Sequence, residues 1–167
     1  TLSFSSLPIE YIAKTTFTVP SESSVLKINK VLDNSDLRSG TSRSIHSSFL
    51  NNLNKRTLQK KVFIEGDFLA KLIEGDSLAQ LNIENKSFDV DNYFSVFIDS
   101  ISIKLGKDVA NDKATGAGKD SNTYLQPNIL KIQGENSEIL TEFLNELVVK
   151  ADNETISEFF NIAKTKN

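Results

Sequence analysis

Apolar and polar residues alternate from Glu10 to Val19, with Tyr11, Ala13, Phe17 and Val19 on one face and Lys14, Thr16 and Thr18 on the other. That period, with its β-branched and aromatic content, predicts a half-buried strand ended by Pro20. Ser21 then offers an N-cap for a short helix with Val25, Ile28 and Leu32 on one side, and Asp33 to Gly40 reads as a loop. Thr41 is the next candidate cap. Ile45, Phe49 and Leu53 follow it at helical spacing with Leu50 alongside, and Leu58 and Val62 continue the stripe after a bend near Lys55. Gly66-Asp67 breaks the run, and Phe68, Leu69, Leu72 and Ile73 predict one more short helix before Gly75. Residues 82–99 show no decisive period, with Val90, Phe94 and Phe97 compatible with a helix.

The second half of the chain repeats the mixture. Ser100 to Leu105 alternates strictly and predicts a second strand. Asp108 to Asn122 is rich in Gly, Ala, Lys and Asp and reads as a polar, mobile loop. Tyr124 to Ile132 predicts a third strand, with Pro127 favouring its start or a sheet edge. Gly134 ends it. Asn136 can cap a helix in which Ile139, Leu140, Phe143, Leu144, Leu147 and Val148 form a broad apolar stripe, and Ile156, Phe159, Phe160 and Ala163 continue or restart it after Asp152-Asn153. The expected fold class is α+β: a small mixed sheet of three or four strands packed with helices, leading into a C-terminal helix.

The most distinctive text within this pattern is Phe-Leu-Asn-x-Leu, present as Phe49 to Leu53 and again as Phe143 to Leu147. Both copies sit on helical stripes and neither carries a group that does chemistry. The residues around them do not match, which argues against an internal duplication. This is packing text, and it points to a protein that acts by shape and assembly.

Composition narrows the classes. The 167 residues, 38% hydrophobic and 25% charged, fit one soluble domain able to bury a core of its own. A net charge of -3 argues against nucleic acid as a main partner, because phosphate binding needs a clustered positive field. The dense basic pairs, Lys55-Arg56 and Lys60-Lys61, read as solvated helix positions. Cysteine is absent, so disulfides and thiolate metal sites are excluded. No stretch reaches the roughly 18 uninterrupted apolar residues of a membrane span, and residues 1–7 show no signal-peptide pattern. The chain opens on Thr1, not Met, so the expectation is a segment of something longer.

Candidate chemistry is thin. Gly116-Ala117-Gly118-Lys119 invites comparison with a phosphate loop, but G-x-x-x-x-G-K-S/T needs Gly where Lys113 stands and Ser or Thr where Asp120 stands. It reads as an exposed loop. His46 is the sole histidine, so no cluster of histidines can hold a metal within one chain. Ser44, Ser47 and Ser48 lie near it, but no G-x-S-x-G elbow is present, and a surface histidine on the polar side of its helix is the better reading. Asp89, Asp91 and Asp99 have no spacing that selects them as a catalytic pair. The sequons Asn85-Lys86-Ser87 and Asn153-Glu154-Thr155 are short enough to arise by chance. Of the apolar stripes, residues 139–163 come closest to one too long for its own domain, the pattern of a helix with a partner.

Four blocks, Leu7 to Thr15 with Phe17 to Pro20, Phe49 to Asp67, Ser100 to Leu105, and Gln133 to Asn136 with Phe143 to Leu147 and Glu154 to Ile156, together resemble the Wzz-type chain-length determinants, the class 1 polysaccharide co-polymerases. Leu7 to Thr15 followed by Phe17 to Pro20 is similar to the strand after the first membrane helix of that family, and Phe49 to Asp67 resembles its next block. Ser100 to Leu105 resembles the central strand. Gln133-Gly134-Glu135-Asn136, Phe143 to Leu147 and Glu154-Thr155-Ile156 resemble the entry to the long helix. The resemblance covers most of the chain, with 70–95 and 107–123 least clear, and it rests on hydrophobic patterns with a few polar positions.

The resemblance implies a single periplasmic, membrane-proximal α/β base spanning 1–167, at the periplasmic face of the inner membrane. The two membrane helices and the long helical hairpin of the family are not in this sequence. It implies a non-enzymatic regulator of O-antigen (lipopolysaccharide) chain length, without catalytic residues, metal or cofactor. Its expected partners are a homo-oligomeric ring, the O-antigen polymerase and the growing polysaccharide. Two rival readings stand beside it: the periplasmic domain of a capsule or exopolysaccharide export tyrosine kinase, and an unrelated periplasmic glycan-binding module or hydrolase.

Overall fold

The computed structural model describes residues 9–33, 41–74, 80–81, 84, 88–104 and 127–164. Among them the chain runs β1 (Tyr11–Phe17), α1 (Glu22–Asp33), α2 (Ser42–Asn54), α3 (Arg56–Glu65), α4 (Phe68–Glu74), α5 (Val90–Asp99), β2 (Ser102–Lys104), β3 (Asn128–Gly134) and α6 (Ser137–Lys164). The fold class is α+β, as the alternating periods predict. No described helix is long and apolar enough to cross a membrane.

The three strands are ordered β1-β3-β2. Thr15 and Ile103 both pair with Leu130, and both pairings are antiparallel, where a mixed sheet was expected. The reason is that the central strand, β3, comes last in sequence and runs against both neighbours. Asn128, Leu130 and Ile132 of β3 point into the core, and Ala13, Thr15 and Phe17 of β1 are half-buried on the same side. Tyr11 shares their parity but is 42% exposed at the strand's open end. The expected third strand from Tyr124 starts right after Pro127 in the structure, and residues 124–126 lie outside the described residues. The second strand starts at Ser102, later than its alternation suggests, because Ser100 caps α5 and the Ile101 N–H bonds back to Ile98; Leu105 lies outside the described residues.

Local signals set the helix boundaries. The Ser21 hydroxyl accepts from the Ser24 N–H at the head of α1. Thr41 and Ser44 form a reciprocal capping box on α2. Lys55 is extended, with ψ 105°, and separates α2 from α3 without a loop. Gly66 and Asp67 turn the chain into α4. Asp67 has φ 56°, in the left-handed region that aspartate tolerates better than most residues. A Cβ on Gly66 would overlap the Phe68 ring, so glycine is required there by close approach. Asp89 caps α5 by accepting from the Asp91 and Asn92 N–H groups, and Asn136 does the same for Glu138 and Ile139 in α6.

The 28 residues of α6 run unbroken through Asp152-Asn153, spanning about 42 Å at 1.5 Å per residue. This helix contacts β1 and β3 of the sheet and also α2, α3 and α4. Ile139, Leu140, Phe143, Leu144, Leu147 and Ala151 are buried along it. Phe143 meets Phe68 of α4 and Phe97 of α5 edge-on, with ring centroids 5.2 and 5.0 Å away. Phe63 of α3 packs in turn on Phe94 and Phe97. The two Phe-Leu-Asn-x-Leu copies thus lie on α2 and α6, helices that pack against each other.

Candidate functional site

Helices α1, α2 and the distal half of α6 line a cavity together with Thr18 and Pro20, which follow β1. Its volume is ≈ 510 Å³, within the range of about 300–1,000 Å³ usual for small-molecule sites. Val25, Ile45, Phe49, Ile156, Phe159 and Phe160 make apolar walls. His46 and Thr155 contribute polar atoms, and Asp152 lines the cavity as an exposed carboxylate. A second, wider cavity of ≈ 810 Å³ lies between α4, α5 and the β3–α6 junction, where Gln133 bonds Glu10 and Lys71 bonds Glu142.

His46 overturns its expected surface position. The residue is 9% exposed, and its Nε2 lies 2.7 Å from Nδ2 of the buried Asn128 side chain on β3. It also meets Phe17 of β1 edge-on at 6.2 Å. The residue lies three before Phe49 and seven before Leu53, so helical spacing carries it onto the apolar stripe. Burial pushes its pKa below the usual value of 6.5 and favours the neutral ring. An amide N–H₂ can only donate, so Nε2 accepts and the ring proton sits on Nδ1. One turn earlier, the Ser42 hydroxyl is buried without a hydrogen-bond partner among the described residues.

A polar clamp beside the cavity joins α2 to α6. Asn52, 1% exposed, donates to Thr155 Oγ1 at 3.0 Å and to Glu158 Oε2 at 3.3 Å. Ser48 donates to Glu158 Oε2 at 2.6 Å. Lys55 bridges Asn52 Oδ1 and Glu158 Oε1 at 3.0 and 3.1 Å. Thr155 donates onward to the Ala151 carbonyl at 2.7 Å. Burial raises the Glu158 carboxyl, but the bonds from Ser48, Lys55 and Asn52, with the Lys55 charge, hold it below its ordinary value.

The other candidates disperse. Ser44 serves the Thr41 capping box, Ser48 the clamp, and Ser47 is exposed; none of the three bonds His46. Asp89 is a helix cap, Asp91 pairs with Lys60, and Asp99 lies 3.8 Å from Arg56, so these acids do not converge. Arg56, Lys60 and Lys61 are helix-surface positions, as expected, whereas Lys55 is the extended residue between α2 and α3; each side chain has an acidic partner: Lys55 with Glu158, Arg56 with Asp99, Lys60 with Asp91 and Lys61 with Glu65. Gly116 to Lys119, the rest of the 108–122 segment and the Asn85 sequon lie outside the described residues. Asn153 is exposed on α6. No group of His, Asp or Glu suited to a metal occurs among the described residues.

Sequence spacing gave no pointer to the cavity itself, because its walls come from segments more than 100 residues apart. Its one legible signal was His46 on the stripe. No model of a known protein family, no curated protein and no solved structure matches this chain.

Proposed function

We propose that this chain is the membrane-proximal base domain of an O-antigen chain-length regulator of the Wzz type, working non-enzymatically as an oligomeric scaffold with the polymerase at the periplasmic face of the inner membrane. One observation supports this reading above the others. The blocks that resemble the family fall on β1, α2 with α3, β2, and the β3–α6 junction; residues of β1, α2, α3, β3 and α6 share one hydrophobic cluster, and β2 joins them by pairing with β3. The similar text is therefore contiguous in space, with one long helix leaving the sheet.

In this reading the mechanism is geometric. A ring of identical subunits presents repeated surfaces to the polymerase or glycan, and the contacts are head-to-tail, so each subunit needs two different matching faces. The parent gene provides the test. Deleting it and resolving lipopolysaccharide on a gel is expected to replace a modal band cluster with a ladder of unregulated lengths. An unchanged ladder would overturn the proposal.

A further inference from the structure

We infer that the cavity between α1, α2 and α6 is a binding site for a small neutral amphiphile: an apolar body carrying a hydroxyl group. The inference stands on the cavity's own chemistry and does not depend on the chain-length reading. Its walls are aliphatic and aromatic, from Val25, Phe49, Ile156, Phe159 and Phe160, so the body of the ligand is apolar. Among the described residues, Ile156 and Phe160 remain 39% and 38% exposed, leaving apolar surface for a ligand to cover.

The polar groups select the headgroup. With Nε2 engaged by Asn128, the neutral His46 ring holds its proton on Nδ1, which has no acceptor among the described residues and is not sealed from solvent. Thr155 Oγ1 donates to Ala151 and accepts from Asn52, and a hydroxyl has a second lone pair left for another donor. Of the polar residues that line the cavity beside the Thr18 and Ser24 hydroxyls, His46 thus brings a donor and Thr155 an acceptor. A hydroxyl group matches both, accepting from the imidazole and donating to an oxygen. Asp152 adds a negative charge to the lining, which opposes carboxylates and phosphates.

His46 is the only histidine, so its ring resonances report on this site alone. The experiment titrates the full chain with hexanol, heptanol and octanol and follows the His46 ring and Ile156 methyl signals by NMR, with octanoate as the charged counterpart. Octanol is expected to give saturable shifts at both residues, with affinity rising about three- to fourfold per added methylene. Octanoate should bind about tenfold more weakly or worse, and Asp152→Asn should narrow that gap. Ile156→Trp, which fills the cavity and leaves the core cluster intact, should weaken octanol by about tenfold or more. The inference is overturned by an absence of saturable shifts with octanol, by octanoate binding as well as octanol, or by octanol affinity untouched in Ile156→Trp.

Discussion

His46 follows Ser42 by four residues and precedes Leu53 by seven, so a helix through this segment turns its ring inward. Residue type misleads here: histidine usually sits at the surface, and the serines around it reinforce that expectation. What decides is a partner more than 80 residues away. Asn128, on the central strand, gives the buried ring a hydrogen bond, which no local pattern announces. The cost of charging this ring makes stability pH-dependent. The folded-state pKa lies below the unfolded value of 6.5, so at lower pH the unfolded chain binds the extra proton first. The His46 contribution is complete above that value and declines as pH falls from 6.5 through the folded-state pKa. Urea midpoints between pH 7.5 and 5.5 should therefore drop as the buffer is acidified, and the slope should flatten in His46→Gln. A flat profile in the parent protein would contradict the buried neutral ring.

At the scale of elements, the sequence was informative wherever a boundary is set by local chemistry. Ser21, Thr41, Asn136, the break at Lys55 and the turn at Gly66-Asp67 all act within one turn of chain, and all fall where the pattern puts them. The α5 helix was not decided by period, because Phe94 and Phe97 are buried or half-buried by Phe63 from another helix. The α2–α6 clamp was invisible for the same reason, since Asn52 and Glu158 become partners only when two distant helices align. Gly66 belongs to this scale too. A glycine replaced by alanine at a compatible site typically gains about 0.4–1 kcal/mol through the unfolded state. Here φ is -82°, which alanine accepts, so backbone preference alone predicts a gain. The added methyl, however, meets the fully buried Phe68 ring, whose own packing on Phe143 leaves it little room to move. Overpacking of this kind costs about 1–3 kcal/mol and outweighs the entropic term. Gly66→Ala is expected to lower the urea midpoint, and a raised midpoint would show that the α3–α4 turn relaxes freely.

For the whole molecule the question is whether the sheet, the helical layer and the long helix unfold as one body. The buried cluster links Leu130 and Ile132 of the sheet, Val62 and Phe63 of α3, Phe68 of α4, Phe94 of α5 and Phe143 of α6. Phe143 is the point where these groups meet, touching rings from two other helices while fully buried. Removing a buried phenylalanine ring typically costs about 3–5 kcal/mol, a large part of the about 5–15 kcal/mol that holds an ordinary domain together. If the cluster is one cooperative unit, Phe143→Ala should shift a single thermal transition to lower temperature without splitting it. Backbone circular dichroism and tyrosine absorbance should then follow the same curve, since Tyr11 lies on the sheet edge and Tyr93 on α5. The alternative is a sheet and helical layer that unfold apart from the distal half of α6, which the clamp joins to α2. That arrangement would give two transitions, with only the one containing the aromatic cluster displaced by Phe143→Ala. Coincident curves in both proteins would establish that α6 is built into the same cooperative body as the sheet and the other helices.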